Sequence, residues 1–227
     1  MIAVHHLNNS RSQRILWLLE ELGLPYEVKR YQRDAKTMLA PPELRAVHPL
    51  GKSPVISDGD LTIAESGAIV EYLADKYGGR GSASSLVPAA GTPERQRYSY
   101  WLHFAEGSAM PPLLMKLIFD RIESGPMPFF AKPIARAIAR KGKSSFVQPN
   151  IDRILDFMES ELGRHAWFAG AAFSAADIQM SFPLEAAAMR GGLNESRPKL
   201  WAFLKQIHER PAYQRALERG GKYELLR

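Results

Sequence analysis

Residues 51–69 read Gly51-Lys52-Ser53-Pro54-Val55-Ile56-Ser57-Asp58-Gly59-Asp60-Leu61-Thr62-Ile63-Ala64-Glu65-Ser66-Gly67-Ala68-Ile69. Two short β-favouring runs, 54–57 and 61–63, flank Asp58-Gly59-Asp60, which has the residue types of a tight turn. The stretch therefore predicts a β-hairpin. A proline that opens a strand has no N–H to pair, so the backbone beside it is open to another partner. From Glu65 a helix is expected to run to about Tyr77, with Ile69, Val70 and Leu73 turned inward and Gly78-Gly79 ending it. The Ser66 hydroxyl and free N–H groups at that helix start suit a carboxylate, and the Glu65 carboxylate suits an ammonium group. Lys52 offers a cation to a second carboxylate.

Upstream, residues 2–7 suggest a strand, and Asn8 to Ser12 a polar turn. Ile15, Leu18, Leu19 and Leu22 mark a helix that stops at Gly23, and a second strand is expected over Tyr26 to Tyr31. This β-α-β order favours a parallel strand pair with a right-handed crossover. Residues 32–50, broken by Pro41, Pro42 and Pro49, read as loop with one short helix. Residues 79–91 are rich in Gly and Ser and read as the linker. Beyond it the strand signal disappears. Thr92-Pro93-Glu94 is a helix start, and apolar stripes at 151–162 and 200–207 mark two further helices. Ser174 and Asp177 have the spacing of a capping box, with Phe173 and Ile178 as its staple. The expected organisation is an α/β domain over 1–80, a linker over 81–90 and an all-α domain over 91–227.

The chain has 227 residues, 45% hydrophobic and 24% charged, an ordinary balance for a folded domain pair. There is no apolar run of the roughly 18 residues that a membrane span needs, and Met1 to His6 is strand-like rather than leader-like. A cytoplasmic, unprocessed chain is the expectation. Cysteine is absent, which excludes disulfides, thiolate-bound metal and any reaction through the protein's own thiol. His5 and His6 point to opposite faces of a strand and make poor joint ligands, so no metal is expected. The net charge of +6 lies wholly beyond residue 80. Lys132, Arg136, Arg140, Lys141 and Lys143 share one acid-free segment with Ile134 and Ile138, which resembles a basic amphipathic helix and reads first as a solvated face, with attraction of anionic substrates or a membrane surface as the sharper alternative. A general polyanion binder spreads its charge more widely, so contact with nucleic acid or membrane is not expected.

Taken together and in order, these elements resemble the glutathione transferase superfamily over essentially the whole chain. Ser53, Pro54, Glu65 and Ser66 match its pattern of a small residue, a cis-proline and then Glu-Ser; Ser174 and Asp177 match its helix cap. The segment His6 to Glu20 most resembles a bacterial and fungal subgroup. The resemblance implies a thioredoxin-like N-terminal domain that binds glutathione as co-substrate through Lys52, Ser53, Pro54, Glu65 and Ser66. It also implies a helical domain supplying the electrophile pocket, for which Trp101, Phe104, Met110 and Leu114 are the candidates. In the first β-α loop, Ser10 is expected to donate a hydrogen bond to the glutathione thiolate, with Asn9 as its rival and the positive helix N-terminus assisting. Conjugation of small hydrophobic electrophiles, glutathione-dependent peroxide reduction and a homodimer are the implied properties. A non-catalytic binding module of the same fold, and a disulfide-bond reductase using two glutathione molecules, stay open as alternatives.

Overall fold

A computed structural model describes residues 1–34, 37, 39–78 and 85–225. The first strand β1 (Ile2–Leu7) leads into α1 (Ser12–Glu21) and β2 (Tyr26–Tyr31), followed by the short α2 (Pro42–Val47). The hairpin β3 (Val55–Asp58) and β4 (Leu61–Ala64) then precedes α3 (Ser66–Tyr77). The sheet runs β2-β1-β3-β4, with β1 parallel to β2 and antiparallel to β3. Within the hairpin Val55 faces Ala64 and Asp58 faces Leu61. This is a thioredoxin-like domain. Residues 79–84 of the expected linker lie outside the described residues, and residues 85–91 lie within them.

The rest is helical: α4 (Pro93–Phe104), α5 (Met110–Ser124), α6 (Lys132–Gly142), α7 (Gln148–Arg164), α8 (Ala175–Ala186), α9 (Pro198–His208) and α10 (Pro211–Gly220). The Thr92 hydroxyl accepts from the Arg95 N–H at 3.2 Å and starts α4. Wide π turns join α4 to α5 at Ala105–Ala109 and α6 to α7 at Lys143–Val147. Each precedes prolines, Pro111-Pro112 and Pro149, whose missing N–H and bulky ring open the ordinary helical ladder. The Asp177 carboxylate accepts from the Ser174 N–H at 2.8 Å, the Ser174 hydroxyl at 3.0 Å and the Phe168 N–H at 2.9 Å. Phe173 beside this cap packs against Trp17 of α1 and Trp167.

The two parts meet along α1. Residues Ser12 to Leu19 are all buried, because the sheet covers one side of the helix and α8 and α10 cover the other. At Gly220 a Cβ would come within 2.4 Å of the Gln13 side chain, so a glycine is needed where α10 closes on α1. The tail after α10 reaches the first loop. Asn9 Nδ2 donates to the Glu224 carboxylate at 2.9 Å, and the Glu224 N–H donates back to Asn9 Oδ1 at 2.9 Å.

Candidate active site

A cleft of about 430 Å³ opens between the two parts, a size that suits a tripeptide-scale ligand. Its sheet side is formed by Lys52, Ser53, Pro54, Glu65 and Ser66, the five residues the sequence reading grouped for binding. The Ser53–Pro54 bond is cis. The Ser53 hydroxyl donates to the His5 carbonyl at 2.9 Å, fixing the turn before β3. No side chain caps the first turn of α3, so its N-terminal dipole stays open toward the cleft. The helix begins one residue later than expected because Glu65 has φ 70°, a conformation that L residues rarely adopt. Strain of this kind costs about 1–3 kcal/mol and is concentrated at ligand clamps.

Ser66 is buried at the base of the cleft. Arg14 Nη2 donates to its Oγ at 2.5 Å and Gln179 Nε2 approaches at 3.5 Å. With lone pairs on that oxygen engaged, the hydroxyl proton is left to donate into the cleft. Arg14 itself is fully enclosed. It also donates to the Gln179 carbonyl at 2.6 Å and pairs with Glu106. Arg11 Nε contacts both Glu106 oxygens at 2.9 Å, on the opposite wall. Burial alone would raise the Glu106 pKa, but the Arg14 and Arg11 guanidiniums outweigh it and hold the carboxylate below its ordinary value.

In the first loop, Ser10 is buried, its Oγ 2.7 Å from Ser12 Oγ and 3.3 Å from Ser53 Oγ. Ser12 Oγ lies 2.9 Å from His6 Nδ1. His6 is pushed down to about 4 by burial and by the nearby Arg30, so at neutral pH its ring is an uncharged end to this chain of hydroxyls. Ser10 Oγ also accepts from the Ser12 N–H at 3.2 Å and so meets one of the free N–H groups at the start of α1, whose N-cap position, Arg11, makes no side-chain cap bond. Asn9 adopts φ 50° and commits its amide to Glu224, in a different groove from the cleft.

The electrophile-pocket candidates separate. Leu114 lines the cleft, joined by Leu39 and Leu50. Trp101 instead lies in an aromatic cluster with Phe157 and Phe168, at ring distances of 5.6 and 4.6 Å. Phe104 packs against that cluster and Met110 is buried in the core. The residues that sequence reasoning missed are Arg11, Arg14, Arg33 and Glu106. Arg14 carried a usable signal, since a charge four residues before Leu18 on the apolar stripe needs a buried partner. Glu106 carried none.

The chain matches the family model "Glutathione S-transferase, N-terminal domain" over residues 1–75. It matches "Glutathione S-transferase, C-terminal domain" over residues 131–211. It is 38% identical to Glutathione S-transferase 3 of Schizosaccharomyces pombe over 222 residues, covering 96% of this chain and 88% of that protein. A crystal structure of a glutathione S-transferase from Actinobacillus pleuropneumoniae superposes with a TM-score of 0.78 at 34% identity, covering 100% of this chain and 96% of that one. A sphingomonad glutathione S-transferase solved as a complex with glutathione superposes with a TM-score of 0.71 at 25% identity, covering 96% of this chain and 98% of that one.

Proposed function

This chain belongs to the glutathione S-transferase family, and from that premise we propose that it transfers the thiolate of glutathione to small electrophiles with an apolar body. The observation that carries the reading is the cleft itself: Lys52, cis-linked Ser53-Pro54, Glu65 and Ser66 converge on one wall, with Leu114 on the other. In this reading the outward Ser53 backbone pairs with the tripeptide backbone, as an open strand edge does. The Ser66 hydroxyl and the start of α3 take the γ-glutamyl carboxylate, while Glu65 takes the ammonium group. Lys52 takes the second carboxylate. The sphingomonad relative, solved with glutathione, supports glutathione as the ligand.

The thiol is held where it ionises most readily, at the N-terminus of α1 beside the Ser10 hydroxyl and the Arg11 guanidinium. Loss of its proton leaves a sulfur nucleophile, which attacks the electrophilic carbon and displaces the leaving group. Leu114, Leu39 and Leu50 give an apolar electrophile a surface to lie on. A homodimer in the cytoplasm belongs to the same proposal. A second reading, disulfide reduction by two glutathione molecules, draws support from the polar residues Arg11, Arg33 and Glu106 that line the cleft beyond the glutathione wall. Its products would be a dithiol and oxidised glutathione.

Calorimetric titration with glutathione, followed by turnover with a chlorodinitrobenzene and, separately, with a cyclic organic disulfide, tests both readings. Binding with release of chloride supports conjugation. Formation of oxidised glutathione from the disulfide alone selects the reductase. Absence of glutathione binding refutes both and leaves a binding module of the same fold.

A further inference from the structure

The connection between α5 and α6 presents the most exposed aromatic side chains among the described residues. Phe129 is 86% and Phe130 70% exposed. Their presentation is built into the backbone, because the Ala131 N–H donates to the Pro128 carbonyl at 3.0 Å and makes these two residues the centre of a tight turn. The rings meet edge to face at 5.7 Å, so they stand as one unit. From Phe130 the apolar line continues at four-residue spacing along α6 through Ile134, 65% exposed, and Ile138, 61% exposed. Only Ala139 of α6 is buried. The helix therefore packs by its small residues and leaves its large apolar ones outside, the reverse of a helix that serves a core.

The charges beside this ridge carry one sign. No acid occurs between Gly125 and Ile151. Arg140 and Lys143 neutralise Asp120 and Glu123 of α5. Among the described residues Lys132, Arg136 and Lys141 enter no salt bridge and are exposed. Read as sequence alone, this segment is first a solvated basic face; the placement of Ile134, Ile138 and the Phe pair beside those cations favours the sharper alternative.

We propose that the Phe129-Phe130 turn and the exposed flank of α6 form a docking surface for an anionic lipid bilayer. Aromatic rings on a rigid turn enter the interfacial region, the isoleucines follow at its boundary, and Lys132, Arg136 and Lys141 meet the negative headgroups. An apolar surface with cations fits this occupant better than a protein partner, whose interface core is poor in charge. On α5, exposed Leu114, Ile118 and Ile122 recur at the same four-residue spacing between the cleft and this turn. The docked protein would thus hold the mouth of its cleft near the bilayer, where apolar electrophiles accumulate.

The test is flotation of the full chain with vesicles of phosphatidylcholine alone and of equimolar phosphatidylcholine and phosphatidylserine, at low and high salt. Binding to the mixed vesicles, weakened by salt and absent from the neutral ones, is expected. The double variant Phe129→Ser/Phe130→Ser should bind more than about ten-fold more weakly. Each of Lys132→Gln, Arg136→Gln and Lys141→Gln should weaken binding about five-fold. These side chains are exposed, so the variants should keep their fold by circular dichroism and their turnover without vesicles. No flotation of the wild type, or variants that float like it, overturns the proposal. Variants that instead convert a dimer to a monomer, with flotation unchanged, assign the ridge to a second copy of this chain and also overturn it. None of these outcomes depends on what the cleft binds.

Discussion

Replacing Ser10 by alanine removes the hydroxyl proposed to hold the thiolate, and the structure sets the size of the effect. In the free protein that hydroxyl lies 2.7 Å from Ser12 Oγ and 3.3 Å from Ser53 Oγ. To serve the thiolate, Ser10 must turn its proton from a neutral oxygen toward a charged sulfur. A hydrogen bond to a charged group contributes about 1.5–3 kcal/mol, and the neutral one given up about 1 kcal/mol, so the net gain is about 0.5–2 kcal/mol. Each 1.4 kcal/mol is one pKa unit, so the bound thiol's pKa should rise by about one in Ser10→Ala. Below that pKa the rate should fall about ten-fold, while the KM for glutathione stays nearly constant. The assay is the pH profile of kcat with a chlorodinitrobenzene, checked against the ultraviolet thiolate band of the glutathione complex. An unchanged thiol pKa would refute the reasoning and pass the role to Arg11 and the N–H groups of α1.

Two further outcomes follow from other parts of the site. Glu65→Gly should move stability and binding in opposite directions: relief of φ 70° raises the unfolding free energy by about 1 kcal/mol, read as a higher urea midpoint, while loss of the carboxylate weakens glutathione affinity. A fall in both would show that the strain is not located there. His6 governs acid stability. Its folded pKa, about 4, lies below the ordinary 6.5, so the unfolded chain takes up a proton that the folded one refuses. Its contribution is complete above pH 6.5 and is lost as pH falls toward 4, by about 3 kcal/mol at most. His6→Asn should flatten the stability curve in that window, and an equally steep curve would exclude His6 as its source.

The hairpin and the start of α3 were legible because their signals are local: Asp58-Gly59-Asp60 makes the turn, and Glu65-Ser66 opens the helix within a few residues. The pocket wall was not. Trp101, Phe104, Met110 and Leu114 are grouped through the family resemblance, because periodicity does not tell which of them point into a cleft. The wide turn at Ala105–Ala109 inserts a residue into the helical ladder between them, and one extra residue rotates everything downstream by about 100°. The structure buries Trp101 and exposes Leu114 at the cleft. The Arg11–Glu106 pair was illegible for a different reason: its members stand 95 residues apart and meet only when the helical part folds onto α1. Within the loop Ser10 is favoured over Asn9 as the donor, and the bond of the Asn9 amide to Glu224 is a contact across 215 residues that no local signal carries.

That last bond also carries a consequence for the order of events during synthesis. The loop that is to hold the thiol leaves the ribosome some two hundred residues before the groups that fasten it, Gly220 against Gln13 and Glu224 against Asn9. Until then α1 lacks the cover that α10 gives it, and the nascent α/β part exposes an apolar helix that a chaperone can recognise. Activity should therefore appear only once α10 has emerged and docked.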